Sequence, residues 1–240
     1  MEISILAAGK SSRFDKKLIS HKCLLKIKNK SLVEKIIEDS RSKGIHKVSI
    51  IVGYKRQKLI KAINDKKVKY IYNRYYASKD MLYSFYLALL NQTDDLILSY
   101  SDIFYSKDIF SRLKKIKHKD KIVLPVLKNW EQIWKFRKKN IYKDCETLIF
   151  DKEKNLIEIG KKTRNKKKIM SQYMGIIYIP FKYKNLLIYE IKKIKNNKLH
   201  ITNFLNKIIK KYYNVKIIET KDLWYEFDDV SDYESFFQRP

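Results

Sequence analysis

The segment LAAGKSSRF, residues 6–14, directly follows the apolar run ISIL at residues 3–6. This order predicts a buried β-strand whose end opens into a tight turn of small residues. Gly9 lets a ligand approach the backbone closely, and consecutive N–H groups with Lys10 and Arg13 can hold a polyphosphate. The loop matches neither GxxxxGK[ST] nor GxGxxG. The alternative is an ordinary tight turn that carries a solvated lysine and arginine.

Strands and helices alternate along the first half of the chain. Apolar runs predict strands at residues 3–6, 47–52, 68–72, 95–100 and 121–127. Helical patterns lie between them, at residues 31–45, in a short segment ending near 63, at 81–91 and near 107–117. This alternation predicts an α/β fold with one Rossmann-like, doubly wound mixed sheet flanked by helices. Ligands bind such sheets beyond the carboxyl ends of the strands, so the residues after each strand are candidate site residues.

Residues 31–45, SLVEKIIEDSRSKGI, show the best-marked helix. Ser31 can cap its N-terminus, and Glu34 completes a capping box. Gly44 suits the position after the last turn.

The pattern changes after residue 127. TLIFD (147–151) and LIEIG (156–160) flank a polar turn and predict a β-hairpin, the start of a small antiparallel addition to the fold. Further strands are predicted at residues 173–179, 215–219 and 224–229, and helices near 183–195 and 201–213. No linker or repeat divides the sequence, so we expect residues 1–240 to form a single domain.

The chain carries 54 Lys and Arg residues against 26 Asp and Glu, a formal net charge of +28. Such an excess favours anionic partners such as nucleic acid, anionic lipid or phosphate-bearing metabolites. The lysines accompany abundant Ile, Asn and Tyr along the whole chain, as biased codon usage would produce. The densest cluster, KKTRNKKK (161–168), has the character of a loop. We interpret the charge mainly as compositional bias that contains phosphate-binding sites, with a nucleic-acid surface as the alternative.

Membrane insertion and secretion are not expected. No window of about 18 uncharged apolar residues is present, and the first apolar run is too short for a signal peptide. Cys23 and Cys145 are too few and too far apart for a disulfide framework or a zinc site, which favours a reducing cytoplasm. Cys145 has no histidine at a recognisable spacing, so it is not expected to be a nucleophile.

Acidic residues end two of the predicted strands. Asp102 closes LILSYSD, where a carboxylate can hold Mg²⁺ beside a bound phosphate. Glu226, Asp228 and Asp229 close the late segment YEFDD. If Asp102 and Asp228 converge, they suit one or two Mg²⁺ ions. Alternatively, Asp102 caps a helix or forms an Asx-turn, and the late acids are isolated surface charges.

LAAGKSSRF together with HKCLL (21–25) resembles the LAAGxGxR…PKxLL opening of the nucleotidyltransferases that join NTPs to phosphorylated metabolites. The chain departs from that pattern at Lys10, where the family has Gly, and at His21, where it has Pro. The resemblance continues through residues 31–54, Asn73, SYSD (99–102) and EFDD (226–229).

Within this superfamily the sequence is most similar to small cytidylyltransferases for phosphocholine, 2-aminoethylphosphonate and phosphoglutamine. The segments that carry this similarity are MLYSF (81–85), W…W..R (130–137), DCETL (144–148), EIGKK (158–162) and QYMGI (172–176). The resemblance implies that CTP and a small phosphate or phosphonate give a CMP-linked product and pyrophosphate. The acceptor oxygen is already ionised at neutral pH, so it needs no protein base, and catalysis is electrostatic.

The resemblance also implies roles for individual residues. Lys22, Arg13 and Asp102 would be catalytic, and Asp102 and Asp228 would hold Mg²⁺. Lys10 and Arg13 would contact the β- and γ-phosphates. The nucleotide-binding set comprises Leu6, Ala7, Ala8, Gly9, Lys10, Ser11, Arg13, Lys22, Asn73, Ser84 and Ser101. Residues 1–127 would form the nucleotide-binding part, and residues 128–240 the acceptor-binding part with the second metal acid.

The acceptor site is expected in the second half of the chain. Trp130 and Trp134 are four residues apart and share a helix face, so they can cover an ammonium group by cation–π contact. Arg137 can pair with a carboxylate or phosphate of the acceptor, and Asp144 or Glu146 with an amine. Further candidates are Lys161 and Tyr173. Alternatively, both tryptophans pack in the core or in a dimer interface.

Three other functions stay open at this point. The chain can be a nucleotidyltransferase for a hexose 1-phosphate that uses UTP, GTP or dTTP. It can be a nucleic-acid-binding protein, although the RNA-binding motifs RNP1 and GXXG are absent, which makes nucleic acid an unexpected partner. It can also be a relative that kept the fold and lost activity. A homodimer is compatible with each of these.

Overall fold

Residues 1–14, 20–79, 81–135, 145–195 and 199–238 are described in the computed structural model of this chain. Their strands are β1 Glu2–Ala7, β2 Lys26–Ile27, β3 Lys30–Ser31, β4 Val48–Val52, β5 Val68–Tyr72, β6 Leu96–Tyr100, β7 Ile103–Tyr105, β8 Ile122–Leu127, β9 Glu146–Phe150, β10 Leu156–Lys162, β11 Gln172–Tyr173, β12 Ile176–Ile179, β13 Val215–Thr220 and β14 Trp224–Glu226. Their helices are α1 Leu32–Ser42, α2 Arg56–Ile63, α3 Met81–Leu90, α4 Asp108–Lys114, α5 Trp130–Trp134, α6 Lys184–Lys192, α7 Ile201–Tyr212 and α8 Val230–Phe237.

A mixed sheet of eight strands, formed within the described residues, dominates the fold in the order β11–β8–β12–β6–β1–β4–β5, with β13 paired to β8. Strand β1 is parallel to both β4 and β6, whereas β12 is antiparallel to β6. The chain runs outward from β1 to β4 and β5 and then returns to place β6 on the other side of β1. The strand order therefore reverses at β1, and the carboxyl ends of β1 and β6 flank the crevice where such folds bind ligands. The predicted fold class is confirmed.

Strand β1 is buried along its whole length. Ile3 and Ile5 pack into the apolar cluster on one face of the sheet, and Leu6 packs into the cluster on the other face. This alternation follows from the two-residue period of a strand, and cover on both faces explains why three of the four residues of ISIL are apolar.

Helix α1 confirms the predicted capping box. The Oγ of Ser31 accepts a hydrogen bond from the backbone N–H of Glu34 at 3.3 Å, and the Glu34 carboxylate accepts one from the Ser31 N–H at 2.8 Å. Gly44, just beyond the helix, has a φ of +76°, a conformation that favours glycine.

The predicted hairpin is confirmed as the antiparallel pair β9–β10. The predicted single strand over 173–179 is wrong, because the chain breaks it into β11 and β12 at Gly175, where φ is +74°. A Cβ at this position would lie 2.9 Å from the Cδ2 of Tyr100, so glycine lets the chain cross close to that ring.

The late strand predicted over 224–229 ends at Glu226 instead. This strand, β14, pairs antiparallel with β7, and α8 begins after Asp229. Neither β7 nor α8 was predicted, and the helices near 107–117 and 183–195 are shorter than expected.

Among the described residues, no helix combines the length and apolar character needed to cross a bilayer.

Candidate active site

A cleft opens at the carboxyl ends of β1 and β6, where the strand order reverses. The residues predicted to bind the nucleotide that line it are Leu6, Ala7, Ala8, Gly9, Ser11, Lys22, Asn73, Ser84 and Ser101. Asp102 lines it as well. Most of them come together because they lie at or just after the carboxyl ends of β1, β5 and β6 in one sheet, whereas Lys22 lies further along the chain and Ser84 lies in α3. We refer to this space as the nucleotide cleft, after the ligand that the sequence predicts for these residues.

The buried side chains of Asn73 and Ser84 set one wall of the nucleotide cleft. The Asn73 Nδ2 donates to the Ser84 Oγ at 2.9 Å, while the Asn73 Oδ1 accepts from the backbone N–H of Tyr75 at 2.9 Å. Since Ser84 accepts from Asn73, its own proton can be donated to an acceptor atom on a ligand. This arrangement suits recognition of a carbonyl or ring nitrogen on a base.

Two carboxylates and two cations meet at the mouth of the nucleotide cleft. The Nζ of Lys22 lies 2.8 Å from Asp102 Oδ2 and 3.5 Å from Asp228 Oδ1. The Nη2 of Arg13 lies 2.9 Å from the same Asp228 Oδ1. Asp102 and Asp228 are thus held together by a shared ammonium group.

The pairing of β14 with β7 produces this convergence. Glu226 pairs with Ile103 in the register of the two strands, and the N–H of Phe227 donates to the carbonyl of Asp102 at 2.9 Å. The backbone segments that precede Asp228 and contain Asp102 therefore run side by side.

Lys22 keeps its charge at this position. Burial by itself lowers the pKa of its ammonium, but Asp102 and Asp228 outweigh burial and raise the pKa above its usual value. Only 13% of the Lys22 side chain is exposed, so solvent screens these interactions weakly. Lys22 is therefore a fixed positive charge at neutral pH rather than a proton donor or acceptor.

The carboxylate pair fits a divalent cation. Asp102 and Asp228 offer the hard oxygen ligands that Mg²⁺ prefers, and both already contact one positively charged group, the Lys22 ammonium. Within the described residues, no group of three or more His, Cys, Asp or Glu side chains could hold a metal. Mg²⁺ is commonly bound by one or two carboxylates together with substrate phosphates, and this pair fits that mode.

A second cleft adjoins the first and shares Met81, Tyr100 and Asp102 with it. Three residues predicted for the acceptor, Trp134, Glu146 and Tyr173, line this second cleft, which we call the acceptor cleft after that prediction. So do Arg13 and Asp228 from the charged group. Lining residues that the sequence interpretation did not assign to the acceptor are Tyr100, Gln172, His200, Thr202 and Glu226. Asp102 thus stands at the boundary between the two clefts.

The acceptor cleft is acidic and aromatic although the chain as a whole is strongly basic. Glu146 and Glu226 face it beside Trp134 and the ring pair Tyr100–Tyr173, whose centroids lie 5.9 Å apart edge to face. Burial raises the pKa of the Glu146 carboxyl, and nearby His200 and Thr202 oppose that rise. A cationic group on a ligand would relieve the cost of burying these acids.

Some predicted site residues lie elsewhere. Trp130 and Trp134 are both buried in one core cluster with their rings 6.1 Å apart, which favours the core alternative for both, and Trp130 does not line the acceptor cleft. Lys161 is exposed and forms an ion pair with Glu158. Lys10 is exposed, outside the residues that line either cleft. Arg137 and Asp144 lie outside the described residues.

His21 secures the segment that carries Lys22. Its ring is 1% exposed, and its Nε2 donates to the carbonyl of Tyr54 at 2.6 Å. Burial lowers the pKa of His21, the Tyr54 carbonyl opposes this, and Lys55 lowers it further.

The lowered pKa of His21 makes the stability of the fold depend on pH. The unfolded chain takes up a proton near pH 6.5, whereas folded His21 does so only at lower pH. The unfolded state then binds more protons, so the free energy of unfolding falls as the pH drops from about 7 to about 5. In urea unfolding, the free energy of unfolding should fall less over this pH range in His21→Gln than in the wild type. The amide of glutamine can still donate to Tyr54. The exposed His118→Gln is the matched control, and an equal fall in both variants would contradict this assignment.

The comparisons with known proteins agree with this geometry. The sequence profile described as "MobA-like NTP transferase domain" matches residues 3–166. The chain belongs to this family. It is therefore a nucleotidyltransferase, and the predicted resemblance is confirmed.

Relatives of this MobA-like NTP transferase include a CTP:phosphoglutamine cytidylyltransferase of Campylobacter jejuni, 31% identical over an alignment that covers 98% of each chain. The solved CTP:phosphocholine cytidylyltransferase of Streptococcus pneumoniae matches with a TM-score of 0.76 and 20% identity over 99% of this chain and 97% of its own. The inositol-1-phosphate CTP transferase of T. maritima matches with a TM-score of 0.75 and 18% identity over 99% and 95%. The two solved structures share the fold.

Proposed function

We propose that the chain is a magnesium-dependent cytidylyltransferase that couples CTP to a small phosphorylated or phosphonate acceptor and releases pyrophosphate. One observation carries the proposal: Lys22 lies between Asp102 and Asp228 at the boundary of the two clefts. Residues 1–127 supply the nucleotide cleft and residues 128–240 most of the acceptor cleft, and we propose that both act as one domain.

The loop after β1 receives the triphosphate. Its small residues admit the phosphates to the backbone N–H groups, and Gly9 leaves open space where a side chain would stand. Arg13 and Lys22, which pair with carboxylates in the structure, would transfer these contacts to phosphate oxygens. Asp102 and Asp228 would hold Mg²⁺, which when bound neutralises negative charge on the phosphates.

The acceptor oxygen attacks the α-phosphorus in line with the leaving pyrophosphate. This oxygen is ionised at neutral pH, so the reaction needs no general base. The fixed charge of Lys22 stabilises the negative charge that grows on the phosphoryl oxygens. The two clefts bring two anions together, a task that favours positioning and electrostatics over proton transfer.

The acceptor cleft supports an acceptor that bears an amine. Glu146 and Glu226 supply negative charge, and Trp134 and Tyr173 supply aromatic surface. A phosphorylated amino acid or amino alcohol combines an anionic end for Arg13 and Lys22 with a cationic end for these acids. The relative that acts on phosphoglutamine supports this class.

Pyrophosphate release tests the proposal. The purified chain is incubated with each NTP and with phosphoglutamine, phosphocholine, 2-aminoethylphosphonate or glucose 1-phosphate, with and without Mg²⁺. We expect release with CTP and one amine-bearing acceptor, and only with Mg²⁺. No release with any pair would overturn the proposal. A preference for another NTP with glucose 1-phosphate would replace it with the hexose alternative.

A further inference from the structure

Helix α8 begins directly beside the proposed metal acid Asp228. The backbone N–H groups of Asp228 and Asp229 donate to the Asp232 Oδ2 at 2.8 and 3.2 Å. In return the Asp229 Oδ1 accepts from the Asp232 N–H at 3.2 Å, which completes a capping box. Asp232 is 1% exposed, so water does not compete for these bonds. The carboxylate of Asp232 therefore fixes the backbone from which Asp228 projects.

The aromatic face of α8 belongs to the apolar cluster that also holds residues next to the two cations. Phe14 follows Arg13, Leu25 lies three residues after Lys22, and both are buried in one cluster with Phe227. Helix α8 adds Tyr233 and Phe236 to this cluster. The Tyr233 hydroxyl also donates to the backbone carbonyl of Lys26 at 2.7 Å. One helix thus bonds to the backbone just after Lys22, packs its rings on Phe227 beside Asp228, and shares an apolar cluster with the loop after β1.

We propose that α8 fixes the position of Asp228 relative to Arg13 and Lys22, and that Asp232 is a positioning residue for the site. We call α8 in this role the strap. Asp228 contacts Arg13 and Lys22 through one oxygen, so a small shift of its backbone breaks both contacts. The strap itself is inferred from the contacts of α8. Its effect on catalysis rests on the proposed function.

Kinetics and binding test the catalytic consequence. We expect Asp232→Ala to weaken calorimetric binding of CTP with Mg²⁺ and to lower kcat, each by about 10- to 100-fold, as loss of a partner behind a metal ligand commonly does. Asp232→Asn should retain most of both, because its amide oxygen can accept the same backbone bonds. Tyr233→Phe keeps the ring and loses only the bond to Lys26, so a smaller loss is expected.

The control for stability is Leu187→Ala, a buried change in α6 on the apolar cluster remote from α8. It should lower the melting temperature and leave kcat per folded molecule unchanged. A normal kcat and normal nucleotide binding in folded Asp232→Ala would overturn the proposal. So would an Asp232→Asn variant as impaired as Asp232→Ala, because charge rather than backbone positioning would then be the cause.

Hydrogen exchange without nucleotide or metal tests the strap independently of catalysis. In Asp232→Ala we expect faster exchange at residues 226–230 and also around Phe14 and Leu25. Faster exchange confined to α8 would show that the helix does not hold these segments together. If the wild-type chain releases no pyrophosphate, the proposed function fails, whereas this exchange result still decides the strap.

Discussion

Lys22→Ala is expected to lower kcat by about 10²- to 10³-fold, the loss seen when a single donor to a developing oxyanion is removed. The ammonium group of Lys22 is mostly buried and permanently charged between Asp102 and Asp228, so water cannot replace it. The variant also leaves the two carboxylates facing each other without their shared cation. Initial rates of pyrophosphate release, measured beside a thermal melt, separate a loss of catalysis from a loss of folding.

Lys26→Ala provides a matched control for this variant. Lys26 is an exposed lysine four residues further along, and its contact with α8 is made by the backbone carbonyl. Removing its charge should leave the rate near that of the wild type. Near-normal turnover in Lys22→Ala would reject the electrostatic role assigned to this residue.

Asp228→Asn is expected to lower kcat/KM by at least about 10²-fold, because a bound metal ion contributes several kcal/mol of charge stabilisation. The amide keeps the shape of the carboxylate and removes the charge that pairs with Arg13 and would hold Mg²⁺. Asp102→Asn should show a comparable loss. The measurement is a Mg²⁺ titration of both CTP binding and pyrophosphate release, in which higher Mg²⁺ concentrations are needed by each variant.

The neighbouring residue Asp229 supplies the control. Asp229 caps α8, and asparagine is as good an N-cap as aspartate, so Asp229→Asn should remain close to the wild type. If Asp228→Asn behaves like Asp229→Asn, the carboxylate of Asp228 does not take part in the reaction.

The parts of the fold that local patterns determine were predictable. The run ISIL, the capping box of Ser31 and Glu34 and the hairpin β9–β10 each depend on residues close together in sequence. The nucleotide cleft followed from the rule that ligands bind at the carboxyl ends of strands, because that rule needs only the order of the elements.

The meeting of Asp102 with Asp228 could not be derived from spacing. It depends on the pairing of β7 with β14, two strands of three residues each that lie in opposite halves of the chain. Strands so short carry little periodicity, and long-range pairing leaves no local pattern. The resemblance to nucleotidyltransferases suggested both acids, and the geometry shows them sharing Lys22.

Helix α8 and the two tryptophans of α5 show two other limits of prediction from the sequence. The helix was missed because its aromatic residues also suit a strand, although Asp229 and Asp232 have the spacing of a capping box. Trp130 and Trp134 share a helix, but the pattern alone does not reveal which indole also faces a cleft. The core covers both indoles, and Trp134 in addition lines the acceptor cleft.

A crystal structure with Mg²⁺ and a non-hydrolysable CTP analogue tests the central claim most directly. The account predicts that the triphosphate lies against residues 7–13, that one Mg²⁺ contacts Asp102, Asp228 and phosphate oxygens, and that Lys22 has moved from the carboxylates to a phosphate. An analogue bound outside this cleft, or a metal ion out of reach of Asp228, would contradict it.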